Sequence, residues 1–536
     1  MPVLKSQVDP SSADFAENAR VMQQSVDEMR RLERVVLDKE QSAAPKFRKL
    51  GQLLPRERIE LLLDRGTPFL ELMSLAGYGM HDDSDGTMAG GGTIAGIGHV
   101  SGVRCLVGAS NAAIKGGTIA PAGVEKSLRL HEIAFENKLP SISLTQSGGA
   151  NLNYASEVFV PGGRSFANQA RKSAAGIPQI TVVHGSSTAG GAYQPGLSDY
   201  VVVVRKQAKM FLAGPPLLLA ATGEVATEEE LGGAELHACD VGTADYLAED
   251  DADGLRLARQ IMAQLPWPRC SPSTTTFLPP RYSPDELLGV VPSDPKVPYD
   301  VREILARIAD DSEYADFKHE FDPHTVCGHV AIHGHRVGII GNNGPITPQG
   351  AVKAAQFIQL CDQVGTPLLF IHNTTGFLVG TEAERGGIIK HGSKLIQAVA
   401  NARVPKISMV VGGSYGAGNY AMCGRGFDPR FIFAWPNSRT AVMGPEQAGK
   451  VLRIVTEQRN KAMGVESDPQ MLDGLEAMVR GKLEAESTAF YGTARLWDDG
   501  LIDPRDTRNV LAIVLGVCKD AEQLTVRPNT FGVARL

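Results

Sequence analysis

The chain has 536 residues, too many for a single hydrophobic core, so two or three domains are expected. Its residues are 43% apolar and 21% charged, the balance of an ordinary globular protein. A formal net charge of −7 gives no support for nucleic-acid binding or for docking on anionic membrane.

Met1 to Ser6 has neither the apolar core of a signal peptide nor the arginine-rich bias of a transit peptide. No stretch approaches the apolar length of a membrane span. A helix is expected from about Asp14 to Asp38, where Phe15, Met22, Val26, Met29, Leu32 and Val36 recur mostly at three- and four-residue steps. Pro55 suits the first turn of a short helix. Strands are expected around Thr93 and Cys105, at Ile177 to Val183 and at Tyr200 to Val204. The proline-rich stretch from Pro266 to Pro298, Pro272 included, is the best linker and divides the chain into 1–280 and 281–536. Beyond it, strands are expected near Val337, Leu368, Ile407 and Phe431 to Ala434. Helices follow Gly376 and Gly418, and further helical spans run from Glu446 to about Ala489 and from Asn509 to Ala521. Each half alternates β-rich runs with helical spans, which argues for α/β units with mainly parallel sheets.

The halves repeat one another. Gly185-Ser186-Ser187-Thr188-Ala189-Gly190-Gly191-Ala192-Tyr193 aligns without a gap on Gly412-Gly413-Ser414-Tyr415-Gly416-Ala417-Gly418-Asn419-Tyr420, 227 residues on. The same offset sets Ser147-Gly148-Gly149-Ala150 on Thr374-Thr375-Gly376-Phe377. Each glycine turn lies between a buried strand and a helical stretch. The first N–H groups of that helix have no intrahelical partner, so two of them can stabilise a carbonyl oxygen as it gains negative charge. Glycines there also serve close helix–strand packing. Two matched pairs of turns favour the first role.

Gly412 to Gly416 matches the nucleophile elbow G-x-S-x-G, but no histidine follows Ser414, so the hydrolase order is impossible. Gly444 to Val451 has P-loop spacing with Val451 where a hydroxyl must sit, and reads as a helix start. His324, His329, His333 and His335 lie close together on a polar strand without a ligand pattern. The seven cysteines, Cys105, Cys239, Cys270, Cys327, Cys361, Cys423 and Cys518, form no C-x-x-C pair. Reduced cytoplasmic thiols follow, with no disulfide framework and no metal site.

Several motifs resemble the carboxyltransferase (β) subunits of biotin-dependent acyl-CoA carboxylases. They include Gly190-Gly191-Ala192-Tyr193, Phe211-Leu212-Ala213-Gly214-Pro215-Pro216, Asn342-Asn343-Gly344, Gly386-Gly387-Ile388 and Gly413 to Tyr420. The resemblance runs from about Gly51 to Phe531. The motifs Phe211 to Pro216 and Gly413 to Gly424 are similar to the methylcrotonyl-CoA and geranyl-CoA branch.

That resemblance implies two tandem crotonase-like (ClpP/crotonase) domains, the first taking acyl-CoA and the second biotin, in β subunits that assemble as a hexamer. It places one oxyanion hole on the backbone of Ala189, Gly190 and Gly191 and another on Gly416, Ala417 and Gly418. Ser147-Gly148-Gly149-Ala150 and Thr375-Gly376-Phe377 would line the cleft near the reacting groups, with Tyr193, Gly196 and Tyr415 beside them. CO₂ would pass from carboxybiotin on a partner α subunit to the acyl-CoA. Lys115-Gly116-Gly117 is a candidate for the CoA phosphates, or equally a plain surface turn. The chain has no Ala-Met-Lys-Met biotinylation site and no ATP-grasp region, so the partner must make carboxybiotin. Asn151 to Ala155 lacks the basic Pro-Arg-Gln stretch of methylcrotonyl relatives, and Gly196 replaces a larger residue, which fits a wider acyl pocket. Other acyl-CoAs (acetyl, propionyl or long-chain), or a crotonase-type enzyme without biotin, are the alternatives.

Overall fold

A computed structural model describes residues 2–269 and 276–534. Cys270 and Pro272 lie outside the described residues. The chain divides into two compact units. One comprises Arg31–Ser273, Ala494–Leu496 and Val517–Leu536; the other comprises Met1–Arg30, Thr274–Thr493 and Trp497–Gly516.

The first-repeat unit is built on β1 (Leu70–Glu71), β2 (Thr93–Val100), β3 (Val103–Ser110), β4 (Ser141–Ser147), β5 (Gln179–Thr188), β6 (Tyr200–Val204), β7 (Lys209–Phe211) and β8 (Tyr246–Ala248). The sheet order is β1-β2-β3-β4-β5-β6-β8, with β7 alongside β5. β1, β2 and β3 pair antiparallel and every later pairing is parallel. The parallel strands are covered on both faces, hence the unbroken Val201–Val204 run, whose four side chains are fully buried. The helices Pro55–Leu62 and Asp251–Gln264 contribute Ile59, Leu62, Leu255, Ala258 and Met262 to the core against this sheet.

The second-repeat unit holds β9 (Ala315–Asp316), β10 (Thr325–Ile332), β11 (His335–Asn342), β12 (Leu368–Thr374), β13 (Lys406–Tyr415), β14 (Phe431–Ala434) and β15 (Arg439–Ala441). Its order is β14-β13-β12-β11-β10-β9, with β15 alongside β13. β10 and β11 form a hairpin whose two turn residues, His333 and Gly334, both have positive φ (48° and 77°). The clustered histidines therefore belong to a hairpin, and His333 packs its ring on Phe277. β4 and β12, and β5 and β13, begin and end at positions 227 apart, so the sequence repeat is also a repeat of strands.

The first helix runs Ala13–Ser42, and its Met22, Val26, Met29, Leu32 and Val36 are buried. The span after Glu446 breaks into Pro445–Ala462 and Pro469–Glu486, and the last helix covers Thr507–Gln523. Among the described residues no helix is long and apolar enough to cross a membrane.

Candidate active site

In both sheets the central strand pair slips at one place. β4 and β5 pair in step up to Thr145↔Val183 and resume at Ser147↔Ser187. β12 and β13 do the same between His372↔Val410 and Thr374↔Ser414. Such bulges bend a strand and re-aim the residues beyond them. Past the slip, β5 continues along β7 and β13 along β15. The glycine turns come immediately after.

In the first turn the residue with unusual backbone is Ala189 (φ 53°, ψ −123°), which ends the strand and opens the helix Gly190–Gly196. Its N–H donates to the Phe211 carbonyl (3.0 Å), and the Ser187 hydroxyl donates to the Gly191 carbonyl (2.8 Å). Gly190 and Gly191 are the first two residues of that helix, so their N–H groups have no intrahelical acceptor. Gly190 has ordinary φ, and a Cβ there would lie 3.4 Å from the Phe166 ring. Gly191 faces Ser147, whose hydroxyl donates to the Gly117 carbonyl (3.2 Å) and accepts from the Gly149 N–H (3.2 Å). Gly149 (φ 86°) and Ala150 then bridge to Ile119. A Cβ on Gly148 would lie 3.3 Å from the Thr118 hydroxyl. Ser147, Gly148, Gly149 and Ala150 thus join Gly117 and Gly191 around one spot. Tyr193 is half-exposed, 5.7 Å from Phe166, and Gly196 borders open space, with nothing within 4 Å of a built Cβ.

Lys115, Gly116 and Gly117 all have positive φ (45°, 63° and 72°). The Lys115 ammonium is paired with Asp82 (2.6 Å), which also accepts from the Tyr154 hydroxyl (2.6 Å). Those hydrogen bonds, that from Lys115 foremost, hold the Asp82 carboxyl below the usual carboxylate range. A phosphate would have to compete with this carboxylate for Lys115.

The second turn repeats the plan. Gly416 (φ 55°) stands where Ala189 does, and the helix Gly416–Ala421 begins there. The N–H groups of Ala417 and Gly418, in the first turn of this helix, have no intrahelical acceptor. The Thr374 hydroxyl accepts from the Gly376 N–H (3.2 Å), and Phe377 bridges to Ile346, as Ala150 does to Ile119. Here the crowding is tighter. A Cβ on Gly418 would lie 2.8 Å from the Gly376 Cα and 3.2 Å from Thr374 Cγ2. Thr375 is exposed beside this contact, and burial pushes the Tyr415 phenol up.

Comparisons with known proteins identify the family. The model of the carboxyl transferase domain family matches residues 46–531. The chain belongs to the carboxyl transferase family of biotin-dependent acyl-CoA carboxylase β subunits. It is 48% identical over 477 residues to the biotin-dependent 3-methylcrotonyl-coenzyme A carboxylase beta1 subunit of Mycobacterium tuberculosis, covering 88% of this chain and 89% of that one. It is 44% identical over 539 residues to the mitochondrial methylcrotonoyl-CoA carboxylase beta chain of Dictyostelium discoideum, covering 100% and 91%. The crystal structure of the geranyl-CoA carboxylase beta subunit of P. aeruginosa superposes with a TM-score of 0.94 at 67% identity over the whole of both chains. The expected fold, tandem crotonase-like α/β domains, is therefore the observed one. A carboxyltransferase of this kind acts on acyl-CoA with biotin carried by a partner subunit.

Two buried polar groupings beside the glycine turns escaped the sequence. Ser414 shares a hydrogen bond with the His372 ring (Nδ1, 2.9 Å) and accepts from the Asn419 amide (2.8 Å). The histidine that a search downstream of Ser414 lacks is supplied from upstream by the neighbouring strand, and both residues are sealed from solvent. Beneath the first turn, Asp251 accepts from the Arg58 guanidinium (2.9 Å), from His184 Nδ1 (2.8 Å) and from the Leu53 N–H (2.8 Å). Burial opposes the charge of Asp251, yet the His184 hydrogen bond and the Arg58 charge hold its carboxyl below its ordinary value.

Burial, reinforced by Arg58, pulls the His184 pKa down to about 4. Burial pulls that of His372 down to about 3. Below about pH 6.5 an unfolded imidazole takes up a proton that these folded rings refuse. Their stabilising contribution is therefore complete above pH 6.5 and is lost as pH falls toward the folded values. Two such groups give a slope of about 2.7 kcal/mol per pH unit between pH 4 and 6. The thermal midpoint is expected to fall across that window, and less steeply in His372→Gln. An equally steep fall in the variant would show that His372 is not buried neutral.

Proposed function

We propose that the two turns are the paired donor sites of the carboxyl transfer, with acyl-CoA held by the N-terminal domain (1–280) and biotin by the C-terminal domain (281–536). The observation that carries this reading is the recurrence, 227 positions apart, of the same strand slip, of a positive-φ residue at the same place and of a helix whose first N–H groups have no intrahelical acceptor. Gly190 and Gly191 would donate to the acyl-CoA thioester oxygen as it gains charge. Gly416, Ala417 and Gly418 would donate to the ureido oxygen of biotin. The second turn fits that group, because the first N–H groups of its helix lack an intrahelical acceptor and its floor at Gly376 leaves no room for a side chain at position 418. Carboxybiotin, when bound, supplies the CO₂. Each donor of this kind is typically worth about 10²–10³ in rate. Fixed backbone donors and orientation thus supply most of the catalysis, and no side-chain triad is required.

The substrate is proposed to be a branched enoyl-CoA of the geranyl-CoA or 3-methylcrotonyl-CoA type. Whole-length identity of 67% to a geranyl-CoA carboxylase subunit supports this, as does the open space at Gly196. The proposal includes a biotin-carrying α subunit as partner, a hexamer of this chain, and work in the cytoplasm without an ATP or metal site of its own. The test is reconstitution with a biotinylated α subunit and a panel of acyl-CoAs. ATP-dependent carboxylation of the branched enoyl-CoAs, by an oligomer seen in light scattering, is the expected result. No carboxylation of any acyl-CoA would refute the reading. Gly196→Phe is expected to lower kcat/KM about tenfold or more for a long acyl chain and only slightly for a short one. Equal losses would place Gly196 away from the acyl tail.

A further inference from the structure

We infer that Gln146 and Asn373 are positioning residues, each an amide wedge that props open the strand slip from which its turn is launched; this rests on the reading of the turns as donor sites. At the slip, one residue of the inner strand stands opposite three of the next. Gln146 lies opposite His184, Gly185 and Ser186, and Asn373 opposite Val411, Gly412 and Gly413. In both places the amide side chain fills the space that a glycine leaves. A Cβ on Gly185 would lie 2.7 Å from Cγ and Cδ of Gln146, and a Cβ on Gly412 would lie 2.5 Å from Oδ1 of Asn373. The two amides are 227 positions apart, and so are the two glycines, so amide and glycine recur as a pair in both halves.

The first wedge is held from behind. Arg58 donates to the Gln146 carbonyl oxygen (3.0 Å), and the Gln146 amide donates to Gln52 (3.2 Å). At the second slip the buried Tyr299 hydroxyl, which has no hydrogen-bond partner among the described residues, faces the position of the absent Gly412 Cβ at 3.5 Å. Gln146 directly precedes Ser147, and Asn373 directly precedes Thr374, the residues that face Gly191 and Gly418. Removing a wedge lets the slipped strand relax and moves the N–H groups of the turn away from the oxygen they serve. A misplacement of about 1 Å can cost about 10²-fold in rate.

The experiment uses the holoenzyme with its biotinylated partner. It compares Gln146→Ala and Asn373→Ala with Gln146→Asn and Asn373→Gln, which exchange the two amides. The alanine variants are expected to lose about 10- to 100-fold in kcat with KM for acyl-CoA changed less than about threefold. The exchanged amides are expected to retain most of the rate. Gly185→Ala/Gln146→Ala is expected to regain part of what Gln146→Ala loses, because the new methyl enters the vacated space. That rescue also keeps the test decisive where a single variant folds poorly. Gly418→Ala is the control for the turns. If the control is inactive while the alanine variants keep kcat within about twofold, the wedge inference is overturned. If the control is fully active as well, the reading of the turns has failed and the inference with it.

Discussion

Gly418→Ala is expected to reduce kcat for carboxylation by about 10²–10³-fold, and to slow decarboxylation of free carboxybiotin comparably. The added methyl would stand 2.8 Å from the Gly376 Cα. That atom belongs to a backbone fixed by the Thr374 hydroxyl and by the Ile346 N–H donating to the Gly376 carbonyl. Neither neighbour can rotate away, so the turn itself must open and its N–H groups lose their aim. The same substitution at Gly190 meets only the edge of the Phe166 ring at 3.4 Å. Gly190→Ala is therefore expected to cost less than tenfold, roughly a tenth or less of the Gly418→Ala effect. Steady-state rates of both half-reactions on folded variants check the pair. Equal losses at the two positions would mean that steric fit does not decide the outcome. Wild-type carboxylation by Gly418→Ala would remove biotin from that turn.

Arg58→Met is expected to destabilise the first-repeat unit by about 3–5 kcal/mol, since removing one partner strands a buried charge. Both side chains of the Arg58–Asp251 pair are shielded, at 0% and 2% exposure. Met fills most of the volume but leaves the Asp251 carboxylate without its cation and the Gln146 amide without its donor. Arg58→Lys is expected to recover little, because one ammonium cannot reproduce a fork that reaches Asp251 and Gln146 together. Calorimetry is expected to show the midpoint lowered by roughly 10 °C in Arg58→Met. A change under about 2 °C would show that water reaches the pair.

The sequence by itself determined the repeat, its offset and the α/β character of both halves. It did so because each is a local demand. A buried parallel strand needs an unbroken apolar run such as Tyr200–Val204. A strand end that must turn with positive φ or approach another backbone favours glycine, and Gly149 and Gly376 show both φ values (86° and 113°). The alternation of elements also placed the strands near Leu368 and Ile407 within a residue or two.

The features that only the tertiary structure decided join residues far apart in the chain. Nothing local shows that Gly418 is squeezed while Gly190 has room, since that depends on how closely the loop after β12 approaches the turn after β13. The left-handed residue of the first turn is Ala189, although glycines come directly after it, so residue type alone does not mark that position. His372 reaches Ser414 across 42 residues through strand pairing, and Arg58 reaches Asp251 across 193. Charge and polarity at such positions give no signal in a sequence, because their partners are chosen by the sheet. The assignment of the first thirty residues to the second-repeat unit and of the last twenty to the first has the same origin. Terminal segments are placed by the apolar surface available to bury them, and chain order does not fix where that surface lies.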